Sequence, residues 1–385
     1  MENILVVGAN TRPIACSLKS IGYNVYSADY FGCHDLKRCV TDYQSFLSQK
    51  PFHSCGFFSQ TFDSELLLEM AQEFVESADH IICSSGASPQ QFPKDKIIGN
   101  RDVKNVENKY KLYKKLRRSF EGVFELPETY LVADIQDAYE TADASVAENF
   151  LLKPLEGSGG IGIHKLDDLD SSVDIRGAIL QEIVEGNDVS ASVLSSGDEA
   201  TTILTSQQLI GNKWLGQMET YGYCGNIAPY RQTTNATNMN FKEVAEEVVR
   251  DLKLIGSNGV DMIVKNDDVY VIEVNPRFQG TFEVTEAVLG INMAEAHIMA
   301  CDGDLIEVPR PKKFGVKMIV FSKHRCFVGN LDIEGINDIP VPNVIVEKGE
   351  PVATAVTSGK VLENTVYMAE RIVNSVYQNL KPINY

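Results

Sequence analysis

Apolar residues recur along this chain in two rhythms, and the switch between them lays out most of its elements. Short unbroken apolar runs over residues 3–8 (NILVVG), 23–28 and 80–84 predict strands buried on both faces, as in a parallel sheet. Between them, residues 11–21 and 64–76 place apolar side chains at helical spacing, so the chain opens as a βαβ unit. Pro89 and Pro93, with polar residues between them, mark a linker. Helical spacing returns over 108–116, 241–254 and 285–299, and residues 178–193 read as strand, hinge, strand. Residues 221–229 (YGYCGNIAP) mix glycines with aromatics and are expected to form a loop that could hold an acceptor substrate. From Gly315 the pattern turns to short strands, and it ends in a helix over 364–380.

The most informative stretch runs from Gly259 to Gly280 (GVDMIVKNDDVYVIEVNPRFQG). Apolar runs on either side of the turn cluster Asn266-Asp267-Asp268 predict an antiparallel hairpin. Glu273 and Asn275 share one face, with Ile272 and Val274 on the other, facing a core. A three-residue turn would set Asp261 opposite Glu273, whereas a two-residue turn would set Val260 there. Two carboxylates and an amide oxygen suit a hard divalent cation that fills its remaining positions with phosphate oxygens and water. Pro276 ends the strand, and Arg277 follows where it could reach a phosphoryl group. The stretch taken alone also reads as a solvated acidic hairpin.

Composition narrows the partners. The 385 residues are 44% hydrophobic and 23% charged, with a formal net charge of −18, which disfavours a nucleic-acid surface and favours small-molecule substrates. The basic run 109–118 has an apolar face at Tyr110, Leu112, Tyr113 and Leu116, and its charges read as a solvated helical face. Eight cysteines without a C-x-x-C pair and six histidines without H-x-x-x-H spacing indicate neither a zinc site nor a disulfide framework. Free thiols and the lack of a signal sequence or long apolar span lead to the expectation of a cytoplasmic protein without membrane contact.

Further phosphate chemistry lies upstream. Lys153 ends an apolar strand just before Gly157-Ser158-Gly159-Gly160, where backbone N–H groups can close around phosphate oxygens and the lysine adds a charge. The order differs from a P-loop, since no Lys-Ser/Thr follows the glycines, and a flexible hairpin turn is the plain alternative. Asp188 follows the hinge and could accept from ribose hydroxyls, although the same stretch also reads as an ordinary edge strand. The first turn, G-A-N-T-R-P, lacks the later glycines of a dinucleotide site, so Asp29 is a weak candidate for a ribose contact and a nicotinamide oxidoreductase is disfavoured.

Lys109, K-P-L-E-G-S-G-G-I-G from Lys153, the hinge, Asp188, Asp261 and E-V-N-P-R together resemble the ATP-grasp superfamily over most of the chain, in its carboxylate-amine ligase form. That group is related to the nucleotide-binding domains of biotin carboxylase and carbamoyl-phosphate synthetase. The resemblance implies a mixed α/β and α+β fold with a Rossmann-like pre-ATP-grasp domain over 1–98. A two-lobed ATP-grasp domain would cover 99–312, with lobes at 99–185 and 186–312, and a small α+β domain 313–385. It implies that ATP is held by Lys109, Lys153, Gly157, Ser158, Gly159, Gly160, Gln181, Glu182, Ile183, Val184 and Asp188. Mg2+, or Mn2+ in its place, would sit on Asp261, Glu273 and Asn275, with Arg277 and Lys153 acting on the transferring phosphoryl group. Asp at 188 and 261 departs from the Glu or Gln often found in relatives. No basic cluster follows the hinge, which disfavours a carboxylase. The implied activity joins a small-molecule carboxylate to an amine in small-molecule or coenzyme biosynthesis. A catalytically silent nucleotide-binding protein is the alternative, and a homodimer is one outcome for the assembly.

Overall fold

The computed structural model describes residues 2–120, 122–157, 159–169, 175, 177–230, 240–266 and 268–383. Its first part is a parallel sheet in the order Asp42–Ser45, Asn24–Asp29, Asn3–Gly8, His80–Cys83. In the central strand Ile4 and Val6 pack with Ile14, Ala15 and Leu18 of the helix Arg12–Ser20, while Leu5 and Val7 pack with Leu67 and Ala71 of the helix Ser64–Val75. Both faces are covered, which is why the apolar run is unbroken. Asp29 is buried and accepts from Thr11 N at 2.7 Å, Thr11 Oγ1 at 2.9 Å and Gly32 N at 2.6 Å, so its oxygens are committed to the chain's own turns.

A second, antiparallel sheet runs Thr129–Val132, Ala178–Glu182, Phe150–Pro154, His164–Lys165. The largest sheet has eight strands in the order Asp268–Asn275, Ile255–Lys265, Asn187–Ser196, Ala200–Ile210, Tyr223–Ala228, Phe314–Phe321, Pro351–Gly359, Ile336–Asn337. The chain passes from the smaller sheet to the larger between Glu182 and Asn187. The C-terminal segment therefore extends the sheet that precedes it, and its core merges with Leu215 and Cys224.

Four sequence expectations need correction. Residues 223–228, read as loop, form a strand. Gly225 has φ +133°, and a Cβ there would lie 2.0 Å from Lys317 O, so glycine serves close strand approach where composition alone suggests a loop. The helix expected over 285–299 is two, Phe282–Leu289 and Met293–Cys301. Gly290 at φ +71° ends the first, and the Asn292 side chain caps the second by accepting from Glu295 N. Cys16 and Cys39, read as free thiols, are joined by a disulfide with Cα atoms 4.6 Å apart, a contact between a helix and a 3-10 turn that no local spacing announces. Ile272 is half-buried instead of facing the core, for a reason given with the hairpin below. Among the described residues no helix is long and apolar enough to cross a membrane.

Candidate active site

The hairpin of Ile255–Lys265 and Asp268–Asn275 brings Asp261 opposite Glu273 by a route the sequence does not show. Lys265 pairs with Asp268, which leaves two residues between the strands, and that register continues to Met262 and Val271. It would set Val260 opposite Glu273. A register shift between Asp261 and Met262 makes Ile272 the extra residue of a bulge, and beyond it Asp261 faces Glu273 and Val260 faces Val274. The bulge turns the acids toward each other and draws Ile272 out of the core.

Neighbouring strands complete the surroundings. Asp261 Oδ1 accepts from Ser190 Oγ at 2.7 Å and from Gln208 Nε2 at 3.2 Å, and Oδ2 accepts from Asn275 Nδ2 at 2.9 Å. Gln279 Nε2 donates to Ser190 Oγ at 3.1 Å, tightening the same layer. Ser190, Gln208 and Gln279 escape a sequence reading because their place depends on register between distant strands. Burial, and then the charge of Glu273, raises the Asp261 carboxyl to about 6. Asn275 Oδ1 accepts from Arg277 Nη1 at 2.7 Å and keeps a second lone pair. A pair of carboxylates held face to face, one of them fully desolvated, with an amide oxygen beside them, fits a divalent cation in its donor chemistry. Among the described residues no group of three or more His, Cys, Asp or Glu is placed to bind a metal, so such an ion would draw on Asp261, Glu273, the Asn275 amide and oxygens of its substrate.

The cationic side is assembled from the smaller sheet and the helix Lys109–Ser119. Asn108 caps that helix by accepting from Lys111 N, which fixes Lys109 at its first turn. Lys109 Nζ lies 3.2 Å from Glu273 Oε1 and donates to Gly157 O at 3.2 Å, so one lysine joins the acid pair to the glycine loop. Lys153 is 8% exposed and donates to Gln181 Oε1 at 2.7 Å. Burial lowers its ammonium to about 8, against the opposing pull of Glu273 and Asp188 and with the help of Lys109. Gly160 has φ +80°, and a Cβ there would sit 1.9 Å from Tyr221 O, while Gly159 O accepts from Tyr223 N at 3.1 Å. The loop is thereby seated on the turn before strand Tyr223–Ala228. Ser158 lies outside the described residues.

The hinge residues are positioned less directly. The Gln181 side chain is taken up by Lys153 and by Thr129 Oγ1, to which its Nε2 donates at 3.0 Å. Glu182 N donates to Glu128 O at 2.8 Å and Ile183 N to Asn149 O at 2.9 Å. Val184, with its side chain buried, completes the turn between the sheets. Asp188 is the second residue of the long strand, opposite Ile263 and half-buried, with its carboxyl raised by burial and pulled down by Lys153. Arg277 lines a narrow crevice of about 20 Å3 with Ser84, Asn100 and Glu107, beside the carboxyl end of the parallel sheet.

Two kinds of comparison bear on this arrangement. Residues 106–281 match the model of the ATP-grasp domain. An uncharacterized protein of Methanocaldococcus jannaschii is 30% identical over 384 residues, covering 97% of this chain and 91% of that protein. The chain belongs to the ATP-grasp family. Tyramine–L-glutamate ligase of the same organism is 27% identical over 160 residues, 40% of this chain and 42% of the ligase. The crystal structure of L-amino acid ligase from Bacillus licheniformis superposes with a TM-score of 0.69, covering 100% of this chain and 99% of that one at 15% identity, a likeness of fold. ATP-grasp enzymes use ATP and Mg2+ and act on small-molecule substrates.

Proposed function

We propose that this chain is an ATP- and Mg2+-dependent ligase that activates a small-molecule carboxylate as an acylphosphate and joins it to an amine, releasing ADP and phosphate. The observation that carries this reading is the meeting of Asp261, Glu273 and Asn275 with Lys109 at one end of the hairpin. Names of relatives such as tyramine–L-glutamate ligase and L-amino acid ligase supply the chemistry of the acceptor.

The steps follow from charge. A carboxylate oxygen of the donor attacks the γ-phosphorus and ADP leaves. The amine nitrogen then attacks the acyl carbon, phosphate leaves, and the nitrogen gives up a proton. Phosphoryl transfer asks a protein mainly for positioning and charge neutralisation, so no side-chain nucleophile is needed. Lys109 and Lys153 would hold phosphate oxygens, with the amides of Gly157, Ser158, Gly159 and Gly160 closing over them. Glu182, Ile183 and Val184 would border the adenine and Asp188 the ribose, while Gln181 holds Lys153 in place. Arg277 would face the γ-phosphate from the crevice side. A bound Mg2+ would supply charge neutralisation on the phosphates, held by Asp261, Glu273 and Asn275.

The test is ADP and phosphate release from ATP and Mg2+ over a matrix of metabolite carboxylates and amines, with the product identified by mass spectrometry. Release that requires both a carboxylate and an amine is expected. ATP binding without release for any pair would overturn the ligase reading and leave a silent nucleotide-binding protein.

A further inference from the structure

The strongest feature outside the hairpin is an open groove of about 440 Å3 between the helix Lys109–Ser119 and the edge strand Thr129–Val132. Three tyrosines, Tyr110, Tyr113 and Tyr130, and three cations, Lys114, Arg117 and Arg118, line it. In a chain of net charge −18 this is a local excess of positive charge. Elsewhere on the same helix Lys109 pairs with Glu273 and Lys115 with Asp251, at 3.2 and 3.0 Å. Among the described residues no carboxylate lies within 4.0 Å of the charged groups of Lys114, Arg117 or Arg118. The nearby acid Glu128 accepts from Tyr130 Oη at 2.6 Å and Ser145 Oγ at 2.7 Å and feels the charge of Arg117 only as a smaller influence.

The cations and rings are arranged together. Lys114 Nζ lies 5.5 Å from the Tyr110 ring centre, and Arg117 lies 5.9 Å from that of Tyr113 while donating to its hydroxyl at 3.1 Å. Positions 110, 113, 114 and 117 recur at helical spacing, so one helix face presents two rings and two charges together. Thr129, which forms part of the opposite wall, is pinned by the bond from Gln181, so that wall is preformed. The volume is that of a small-molecule site, and flat rings beside exposed cations select a ligand that carries both a planar ring and phosphate charge.

From this geometry we infer a second ligand site that takes a nucleoside phosphate, separate from the site at Lys109 and Lys153. It does not depend on the ligase reading, because it concerns binding alone.

Isothermal titration of the full chain with each of the four ribonucleoside monophosphates, and with inorganic tripolyphosphate, tests it. At least one monophosphate is expected to bind one per chain, and tripolyphosphate at least tenfold more weakly. The Lys114→Ala/Arg118→Ala double variant and Tyr113→Leu should each weaken that monophosphate tenfold or more, with an unchanged melting temperature for the double variant. Asp188→Ala, altered at the ATP side and outside the groove lining, should change it less than about twofold. The assignment is overturned if no monophosphate binds, if tripolyphosphate binds as tightly, or if Asp188→Ala removes binding while the groove variants keep it.

Discussion

Two clusters of buried charge lie close together in this molecule and are built on opposite plans. In one, Arg12 reaches Glu283 at 2.5 Å, Asp338 at 2.7 Å and Asp35 at 3.3 Å, and Lys317 meets Glu283 at 2.9 Å. Burial by itself would raise both acids, but Arg12, and then Lys317, hold Glu283 and Asp338 below the ordinary carboxylate range. Each acid there has a cation in contact. In the hairpin cluster acid faces acid, and Asp261 is raised where Asp338 is lowered. Tyr223 lies between them, its phenol raised by burial and then by the charges of Asp261 and Glu283. The first cluster is complete within the chain and ties the parallel sheet to the two later segments. In the second, Lys109 touches Glu273, but Asp261 is bonded by neutral donors, Ser190, Gln208 and Asn275, the mark of a carboxylate that awaits a metal.

The sharpest way to break this contrast is to remove one partner from each. Arg12→Met leaves Asp338 and Asp35 without a cation in contact and Glu283 with Lys317 alone, and should lower the unfolding free energy by roughly 3–5 kcal/mol in urea titrations. An unchanged midpoint would show that the hub is not a brace. Glu273→Gln should lower the rate of ADP release on the order of a hundredfold or more, about 3 kcal/mol of barrier, while costing less stability than Arg12→Met, because the lost Lys109 contact is offset by removal of the like charge facing Asp261. Loss of stability matching that of Arg12→Met would erase the distinction.

His297 provides a third, uncharged case. It accepts from Ser257 N at 2.8 Å and burial pushes its imidazole down to about 4. Above pH 6.5 both folded and unfolded states hold it neutral and its contribution is whole. Below that the unfolded chain takes up the proton first, so stability falls as pH drops from about 6.5 toward 4, by up to roughly 3 kcal/mol. Stability curves from pH 7.5 to 4 in wild type and His297→Gln should differ most in slope across that window; parallel curves would contradict the buried neutral ring. The smallest effect concerns the glycine loop. Gly160→Ala forces a side chain into the left-handed region and against Tyr221 O, and a penalty of about 1–2 kcal/mol is expected, seen as weaker ATP binding. Equal affinity would show that the loop need not stay seated on that turn.

Much of the fold was legible because it rests on local periodicity. The unbroken run at Ile4, Leu5, Val6 and Val7 announced a strand covered on both faces, and the runs about Asn266 announced the hairpin. What could not be read depends on pairing at a distance. The meeting of Asp261 with Glu273 turned on loop length in the sequence, whereas the chain uses a two-residue connection and corrects it with a bulge at Ile272. The strand Ala200–Ile210, which brings Gln208 to Asp261, carries no chemistry visible in its own letters. Arg12 opens a helix from a stretch whose wording suggested only a failed dinucleotide motif, and its three partners come from three distant segments.

The central claim is that the hairpin acids hold the metal of a metal-nucleotide complex. The direct measurement is binding of Mn2+ with ATP, followed by water-proton relaxation, in wild type and in Asp261→Asn/Glu273→Gln, with thermal melts alongside. The double variant is expected to stay folded, with a smaller fall in melting temperature than Arg12→Met, and to lose the metal-dependent part of ATP binding. If it binds the metal-nucleotide pair as tightly as wild type, the acids do not serve the metal and the account is wrong.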